Sequence, residues 1–443
     1  MTMPLTTHGL EGFFNPRSVA IIGASADPNK LGGRPLRFFR EAGYEGKIYP
    51  VNSRSAEVQG FRAYPSVAEI PGAVDQALII LPAAACLDAL RACADKGIRY
   101  VQVLSSGFGE EGPEGLAAQQ GLMAFARAHG IRLLGPNCLG VVSVRNRFFA
   151  TFSTALEALV PQPGGIAVAT QSGAFGSCAY SMAIQRGLGL SRMVATGNEA
   201  DVDVAECIAF LAQDPETRVI CAAIEGCNDG QRLREALAAA ARAGKPVIVM
   251  KVGTSEVGMA AAATHTGALA GNDAVFDAVF AECGAWRAQS IEEMLDIAHY
   301  CIQLPAPRNR RAAIVTVSGG IGVLMADAAE AVGLELPRLT AGLTAQLKAL
   351  LPFAPANNPM DTTAQVGVVK DGVARSVEVF LRETDWSTVL LYIAQSACAP
   401  EKFEPMREAL TRLRRQYPDR CLALVGPSDD GVRRRLEQDG FFV

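Results

Sequence analysis

Three times along this chain a short run of Val, Ile and Ala ends in a turn of Gly, Ser and Ala and passes into a helical segment. The runs are Ser18-Val19-Ala20-Ile21-Ile22 before Gly23-Ala24-Ser25, Ile166-Ala167-Val168-Ala169-Thr170 before Gln171-Ser172-Gly173, and Ala312-Ala313-Ile314-Val315-Thr316-Val317 before Ser318-Gly319-Gly320. A strand with one face in water alternates apolar and polar residues, and these do not. They read as parallel strands buried on both faces and joined by crossover helices. Further runs follow at helix-length spacing: Lys47–Asn52, Gln76–Leu81, Tyr100–Leu104 and Arg132–Leu134; Ser191–Ala195, Val219–Ile224 and Val247–Met250; Thr388–Ile393 and Cys421–Val425. Pro161-Gln162-Pro163-Gly164-Gly165 and Pro305-Ala306-Pro307 punctuate the series. The expectation is an α/β protein with mainly parallel sheets in three consecutive domains, which suits a length of 443 residues.

Composition excludes several classes. With 41 Lys and Arg against 45 Asp and Glu, the net charge of -4 gives no electrostatic reason to expect nucleic acid. The most apolar stretch, Val74–Leu90, contains Asp75, Gln76 and Pro82 and does not supply the ~20 apolar residues of a membrane span. Met1-Thr2-Met3-Pro4 is not the start of a signal peptide, so a cytoplasmic location is expected. The 11 cysteines are scattered without a CxxC pair and read as free thiols, most in apolar surroundings such as Cys178 and Cys207. No metal site is expected.

Chemistry concentrates in the turns. Gly23 lets backbone amides face a phosphate at the start of the next helix. The loop departs from the dinucleotide fingerprint, since Ser25 stands at the second glycine position and Lys30 lies further on. The second strand ends Val51-Asn52-Ser53-Arg54, with no acid to hold a ribose diol. A nicotinamide cofactor is disfavoured; a phosphorylated nucleotide such as coenzyme A remains. Gly135-Pro136-Asn137-Cys138-Leu139-Gly140 reads as a rigid turn in which Asn137 can tie two loops, while Cys138 as a nucleophile lacks a nearby histidine. Ser172 is a natural N-cap whose following amides, Gly173 and Ala174, suit an anion. Glu225 ends a buried strand; it is either an exposed strand-end acid or the carboxylate that orients an imidazole. The chain has four histidines, and His265 sits among small residues in Ala262–Gly271, as a solvated loop residue or as a nucleophile open to a bulky partner. Asp361, in Asn358-Pro359-Met360-Asp361, either contacts a ligand or caps a turn. Phe148, Phe149 and Phe152 line an apolar pocket or, more in keeping with the pattern, join the core.

Taken together these motifs resemble the NDP-forming acyl-CoA synthetases, the superfamily that includes succinyl-CoA synthetase and ADP-forming acetyl-CoA synthetase. The resemblance rests on Ser18–Ser25 with Lys30-Leu31-Gly32, Tyr49-Pro50-Val51-Asn52, Ser105-Ser106-Gly107-Phe108, Gly135–Gly140, Gln171-Ser172-Gly173, Ile224-Glu225-Gly226, Thr264–Gly271, Ser318-Gly319-Gly320 and Asn358–Asp361, in the family's order. It implies a CoA-binding Rossmann-like domain at 1–147, a flavodoxin-like domain carrying a phosphohistidine at 148–304 and a second flavodoxin-like domain at 305–443. It implies that His265 carries the phosphoryl group, that Glu225 orients it, and that Gln171, Ser172, Gly173, Ala174 and Gly267 cradle the phosphate. It places CoA on Gly23, Ala24, Ser25, Lys30, Leu31, Asn52, Pro82, Ser105, Ser106, Gly107, Asn137 and Cys138. The implied reaction joins a small carboxylic acid to CoA as ATP becomes ADP and phosphate. An ATP-grasp part binds the ATP or ADP with Mg²⁺; no fourth block is seen here, so a partner subunit or a longer protein is expected to supply it, in a homo- or hetero-oligomer. The alternative is a CoA-sensing or scaffold module without turnover, such as the regulatory half of a protein acetyltransferase.

Overall fold

The structure is a computed structural model that describes residues 9–157, 159–255, 257–258, 273–363, 369–395 and 400–443. The chain divides into two compact units, Met1–Ala298 and His299–Val443.

The first unit holds two large sheets. After a short helix α1 (Glu11–Phe14), the first sheet takes β1 (Ser18–Ile22), β2 (Lys47–Val51), β5 (Gln76–Ile79), β6 (Tyr100–Val103) and β7 (Arg132–Leu134), all parallel, in the order β2-β1-β5-β6-β7. A small hairpin, β3 (Glu57–Val58) with β4 (Phe61–Arg62), lies between β2 and β5 in the chain. The crossovers are α2 (Arg34–Ala42), α3 (Ala83–Asp95) and α4 (Pro113–Ala128). The second sheet has a parallel core of β10 (Pro163–Thr170), β11 (Leu190–Ala195), β12 (Val219–Ile224), β13 (Val247–Lys251) and β14 (Trp286–Arg287), with α5 (Gly173–Gln185), α6 (Val204–Gln213) and α7 (Gly230–Arg242) among its helices. Its full order is β14-β13-β12-β10-β11-β8-β9.

The last two strands are β8 (Gly140–Ser143) and β9 (Phe148–Thr151), an antiparallel hairpin added to the edge at β11. The boundary expected between residues 147 and 148 therefore falls inside a hairpin of the second sheet. This hairpin also joins the two halves of the unit. Phe148 is fully buried and packs on Phe39 of α2 and on Tyr44, with ring centroids 5.1 and 5.2 Å apart. Phe148 and Phe149 are core, as the pattern favoured. Arg132 at the start of β7 reaches across to Asp201 at 2.9 Å and Glu206 at 2.8 Å, a second tie between the halves.

The second unit carries a four-stranded parallel sheet, β16-β15-β17-β18, from β15 (Ala312–Thr316), β16 (Met360–Asp361), β17 (Thr388–Tyr392) and β18 (Cys421–Val425). In the first and third sheets, and in the parallel core of the second, the first strand lies between the second and the third. Consecutive strands thus leave the first strand on opposite sides, and the chain reverses direction there, which opens a crevice at the carboxyl ends. The thiols of the described residues are free, and Cys178, expected in apolar surroundings, is exposed because it lies on the outer face of α5. Phe148→Ala should lower stability by about 3–5 kcal/mol, since it removes a ring that both halves of the unit touch. Urea unfolding followed by intrinsic fluorescence and by circular dichroism checks this.

Candidate functional site

The carboxyl edge of the first sheet is tightly built. Gly23 has a φ of +93°, and a Cβ there would lie 2.2 Å from the carbonyl oxygen of Ile80, after β5. Only glycine fits at this reversal point. The loop that follows is held by side chains. Asn52 donates from Nδ2 to the Ala24 carbonyl at 2.8 Å and accepts from the amides of Arg54 and Ser55 at 2.8 and 3.1 Å. Gln59, at the turn of the β3–β4 hairpin, donates to the carbonyls of Ser25 and Gly33 at 3.0 and 2.9 Å. Lys30 and Leu31 are exposed on this loop, and Ser106 is exposed beyond β6. Pro82 precedes α3, and Ser105 Oγ accepts from the Leu81 amide at 3.0 Å. Gly107 gives its amide to Glu110 at 2.7 Å.

The second sheet presents its own carboxyl edge. Ser172 caps α5, its Oγ accepting from the Phe175 amide at 3.3 Å. The helix itself leaves the first-turn amides of Gly173 and Ala174 without partners. Gln171 uses its whole side-chain amide. Oε1 accepts from the amides of Glu225 and Gly226 at 2.6 and 3.0 Å, and Nε2 donates to the Gly226 carbonyl at 2.9 Å and to Glu199 at 2.6 Å. Glu225 is buried beside it, and Lys251 Nζ donates to its carbonyl at 2.8 Å.

Both edges wall one cavity of about 720 Å³. Of the residues singled out in the sequence it brings together Asn137, Cys138, Gln171, Ser172, Gly173, Ala174 and Glu225. Gly23, Ala24, Ser25, Lys30, Leu31, Asn52, Pro82, Ser105, Ser106 and Gly107 follow strand ends of the first sheet but do not line this cavity. His265 and Gly267 lie outside the described residues. Asn137, at φ +55°, does tie two loops: Nδ2 donates to Asn198 at 3.2 Å, and Asn198 in turn reaches Glu110 and Gln119. Cys138 is buried and donates to the Val103 carbonyl; burial pushes its thiol up to about 12, which removes it as a nucleophile at neutral pH. Phe152, unlike its two neighbours in the β9 region, does line the cavity. In the second unit, Asp361 accepts the Thr363 amide at 2.8 Å and also lines a separate cavity of about 610 Å³.

Two charged residues of the cavity wall escaped the sequence reading. Arg34 starts α2, gives Nη1 to the Phe152 carbonyl at 3.1 Å and lies 3.4 Å from Glu157. Glu199 lies in the turn after β11, at φ +53°. The run Thr196-Gly197-Asn198-Glu199 follows β11 as Gln171-Ser172-Gly173 follows β10, so the same attention to strand ends would have found it. Among the described residues no group of three or more His, Cys, Asp or Glu is placed to hold a metal ion. No described helix is long and apolar enough to cross a membrane.

Comparison with known proteins decides the family. Residues 17–143 match the CoA binding domain and residues 163–301 the succinyl-CoA ligase like flavodoxin domain. The α subunit of acetate–CoA ligase (ADP-forming) I of Pyrococcus furiosus is 42% identical over 375 residues, which are 82% of this chain and 80% of that protein. The chain belongs to the ADP-forming acyl-CoA ligases. Acetate–CoA ligase (ADP-forming) I of Archaeoglobus fulgidus is 36% identical over 88% of this chain, which spans only 55% of that longer protein. Among solved structures, acetyl-coenzyme A synthetase 1 of Ca. Korarchaeum cryptofilum, in complex with phosphate and ADP, superposes with a TM-score of 0.86 at 30% identity, over 98% of this chain and 92% of that one. In this chain the CoA-binding part comes first and the flavodoxin-like part follows.

In this ligase the Glu199 carboxyl has an unusual environment. Burial pushes it up to about 7, with Asp203 adding repulsion, against hydrogen bonds from Gln171, Val204 and Thr196 that favour the anion. The folded state thus holds the proton more tightly than the unfolded chain. The stability this contributes is complete below the unfolded value of about 4.3 and is lost as the pH rises through about 7. Glu199→Gln cannot titrate, so its melting temperature should gain on the wild type between about pH 5 and pH 8. Parallel thermal melts across that range check it; a difference that does not change with pH contradicts the assignment.

Proposed function

We propose that this chain is the CoA-binding and phosphohistidine-carrying part of an ADP-forming acyl-CoA ligase, working with an ATP-grasp subunit or domain. The observation that carries the reading is the shared cavity: a capped helix N-terminus and a buried strand-end glutamate from one sheet face the Asn137 turn of a CoA-type sheet. The first sheet serves CoA, with the Gly23–Gly33 loop and the turns at Asn52, Ser105 and Asn137 as its edge. The second serves the phosphoryl group.

Run towards ATP, a phosphate oxygen attacks the thioester carbonyl of acyl-CoA. The C–S bond breaks, and CoA leaves with a proton as the thiol. An imidazole nitrogen of His265 then attacks the phosphorus of the acyl phosphate; the P–O bond breaks and the carboxylate leaves. Glu225 holds the other imidazole nitrogen so that the attacking one keeps its lone pair. The amides of Gly173 and Ala174 and the positive end of α5 stabilise the phosphoryl oxygens. The phosphohistidine passes its group to ADP on the ATP-grasp part with Mg²⁺, and the reverse sequence makes acyl-CoA from a small carboxylic acid.

The nucleotide-independent half of this sequence gives the test. Acetyl-CoA with radiolabelled phosphate should put acid-labile label on the wild-type chain, alone or co-expressed with an ATP-grasp subunit, and none on His265→Ala. Glu225→Gln should slow labelling on the order of a hundredfold. Label that persists in His265→Ala overturns the role of His265. Tight CoA binding by calorimetry without label in the wild type overturns turnover in favour of a CoA sensor.

A further inference from the structure

The proposed reaction gives no task to Glu199, although it is an acid on the cavity wall in a backbone conformation that disfavours side chains. A non-glycine residue at φ +53° costs energy, on the order of 1 kcal/mol, and the half-burial of its carboxylate adds to that cost. Such a residue persists where the surroundings demand it.

Three hydrogen bonds define its place. Oε1 accepts from Thr196 Oγ1 at 2.9 Å and from the Val204 amide, at the start of α6, at 2.7 Å. Oε2 accepts from Gln171 Nε2 at 2.6 Å. The first two fasten the turn to itself and to α6. The third leaves the turn and crosses the reversal point of the second sheet. Gln171 follows β10, the first strand of that parallel core; Glu199 follows its neighbour on one side, and Glu225 and Gly226 follow its neighbour on the other. The Gln171 amide brackets Gly226 by both its N–H and its carbonyl and also takes the Glu225 N–H. Turning the amide over would set Oε1 against the Glu199 carboxylate and the Gly226 carbonyl, and Nε2 against the Glu225 and Gly226 N–H groups, so all four partners hold one orientation. Glu199 is the one side chain among these four partners, and it anchors the Nε2 end of the amide whose Oε1 meets the two backbone amides.

The geometry points to Glu199 as a positioning residue of the ligase: through Gln171 it fixes the backbone of Glu225 and Gly226, and with it the direction of the Glu225 carboxylate. This rests on the reading that Glu225 orients the phosphoryl-accepting imidazole. A purely local staple between the turn and α6 would use Oε1 alone, and that difference makes the roles separable.

Glu199→Gln keeps an oxygen for Thr196 and Val204 but sets its NH₂ against the NH₂ of Gln171. Adding Gln171→Glu in that background swaps the two groups and restores a donor–acceptor pair; the introduced carboxylate still accepts from the Glu225 and Gly226 amides but gives up the bond to the Gly226 carbonyl. The assay is labelling by acetyl-CoA and radiolabelled phosphate, as above, with saturation curves in each substrate. In Glu199→Gln the maximal rate should fall on the order of tenfold or more, with KM for acetyl-CoA within about twofold of wild type. The double variant should recover a substantial part of that rate, and Gln171→Glu alone, with two carboxylates face to face, should be slower than the double variant. A Glu199→Gln rate equal to wild type overturns the inference, as does a loss that the second substitution leaves unchanged or a change confined to KM. Wild type that labels at His265 while Glu225→Gln labels normally overturns the role of Glu225 and this inference with it, leaving the role of His265 standing.

Discussion

A parallel strand buried on both faces has only its ends for chemistry, and the carboxyl ends are where successive βα turns gather. The constraint recurs three times in this chain, because the parallel part of each sheet begins with a strand that later parallel strands flank on both sides. At the reversal point the backbone must pass close to its neighbours. In the first sheet that approach excludes any side chain at Gly23. In the second it is bridged by the amide of Gln171, which touches the turns after both neighbouring strands. The two solutions differ physically. A glycine leaves open backbone for a ligand phosphate, whereas a bridging amide fixes where neighbouring side chains start.

Much of this was legible because it depends on local sequence. Buried strands of Val, Ile and Ala show themselves by lacking alternation, Ser172 shows itself as a cap, and strand-end residues follow once the strands are placed. The hairpin of β8 and β9 was not legible as part of the second sheet. Its partner β11 begins at Leu190, far along the chain from the end of β8 at Ser143, and nothing local in Gly140–Ser143 encodes that pairing. Side-chain commitments were equally hidden. Asn52 and Gln171 have residue types that suit a ligand, yet their amides bind backbone around the site. Cys138 looks like a thiol in a catalytic turn until its burial is known. Glu199 was missed because a Thr-Gly-Asn-Glu turn reads as solvent-exposed, and its half-burial against Gln171 and the start of α6 comes only with the tertiary fold.

The charges around the cavity bear on how a phosphoryl group is handled there. Among the described lining residues Arg34 is the one basic side chain, and it already lies beside Glu157 and the Phe152 carbonyl; Glu199 and Glu225 are acids. A site that held free phosphate by charge would show the opposite balance, with Arg or Lys forks turned inward. Here the favourable field for an anion comes from oriented dipoles at the start of α5. Dipoles of this kind act over the first turn and favour a group placed against them. They stabilise a phosphoryl group that is tethered in position better than one that must be captured from solution. The covalent carrier proposed for this site matches this field: the tether supplies the proximity that the described charges do not, and the acids that weaken capture of phosphate are the groups that, in that proposal, hold an imidazole and its support.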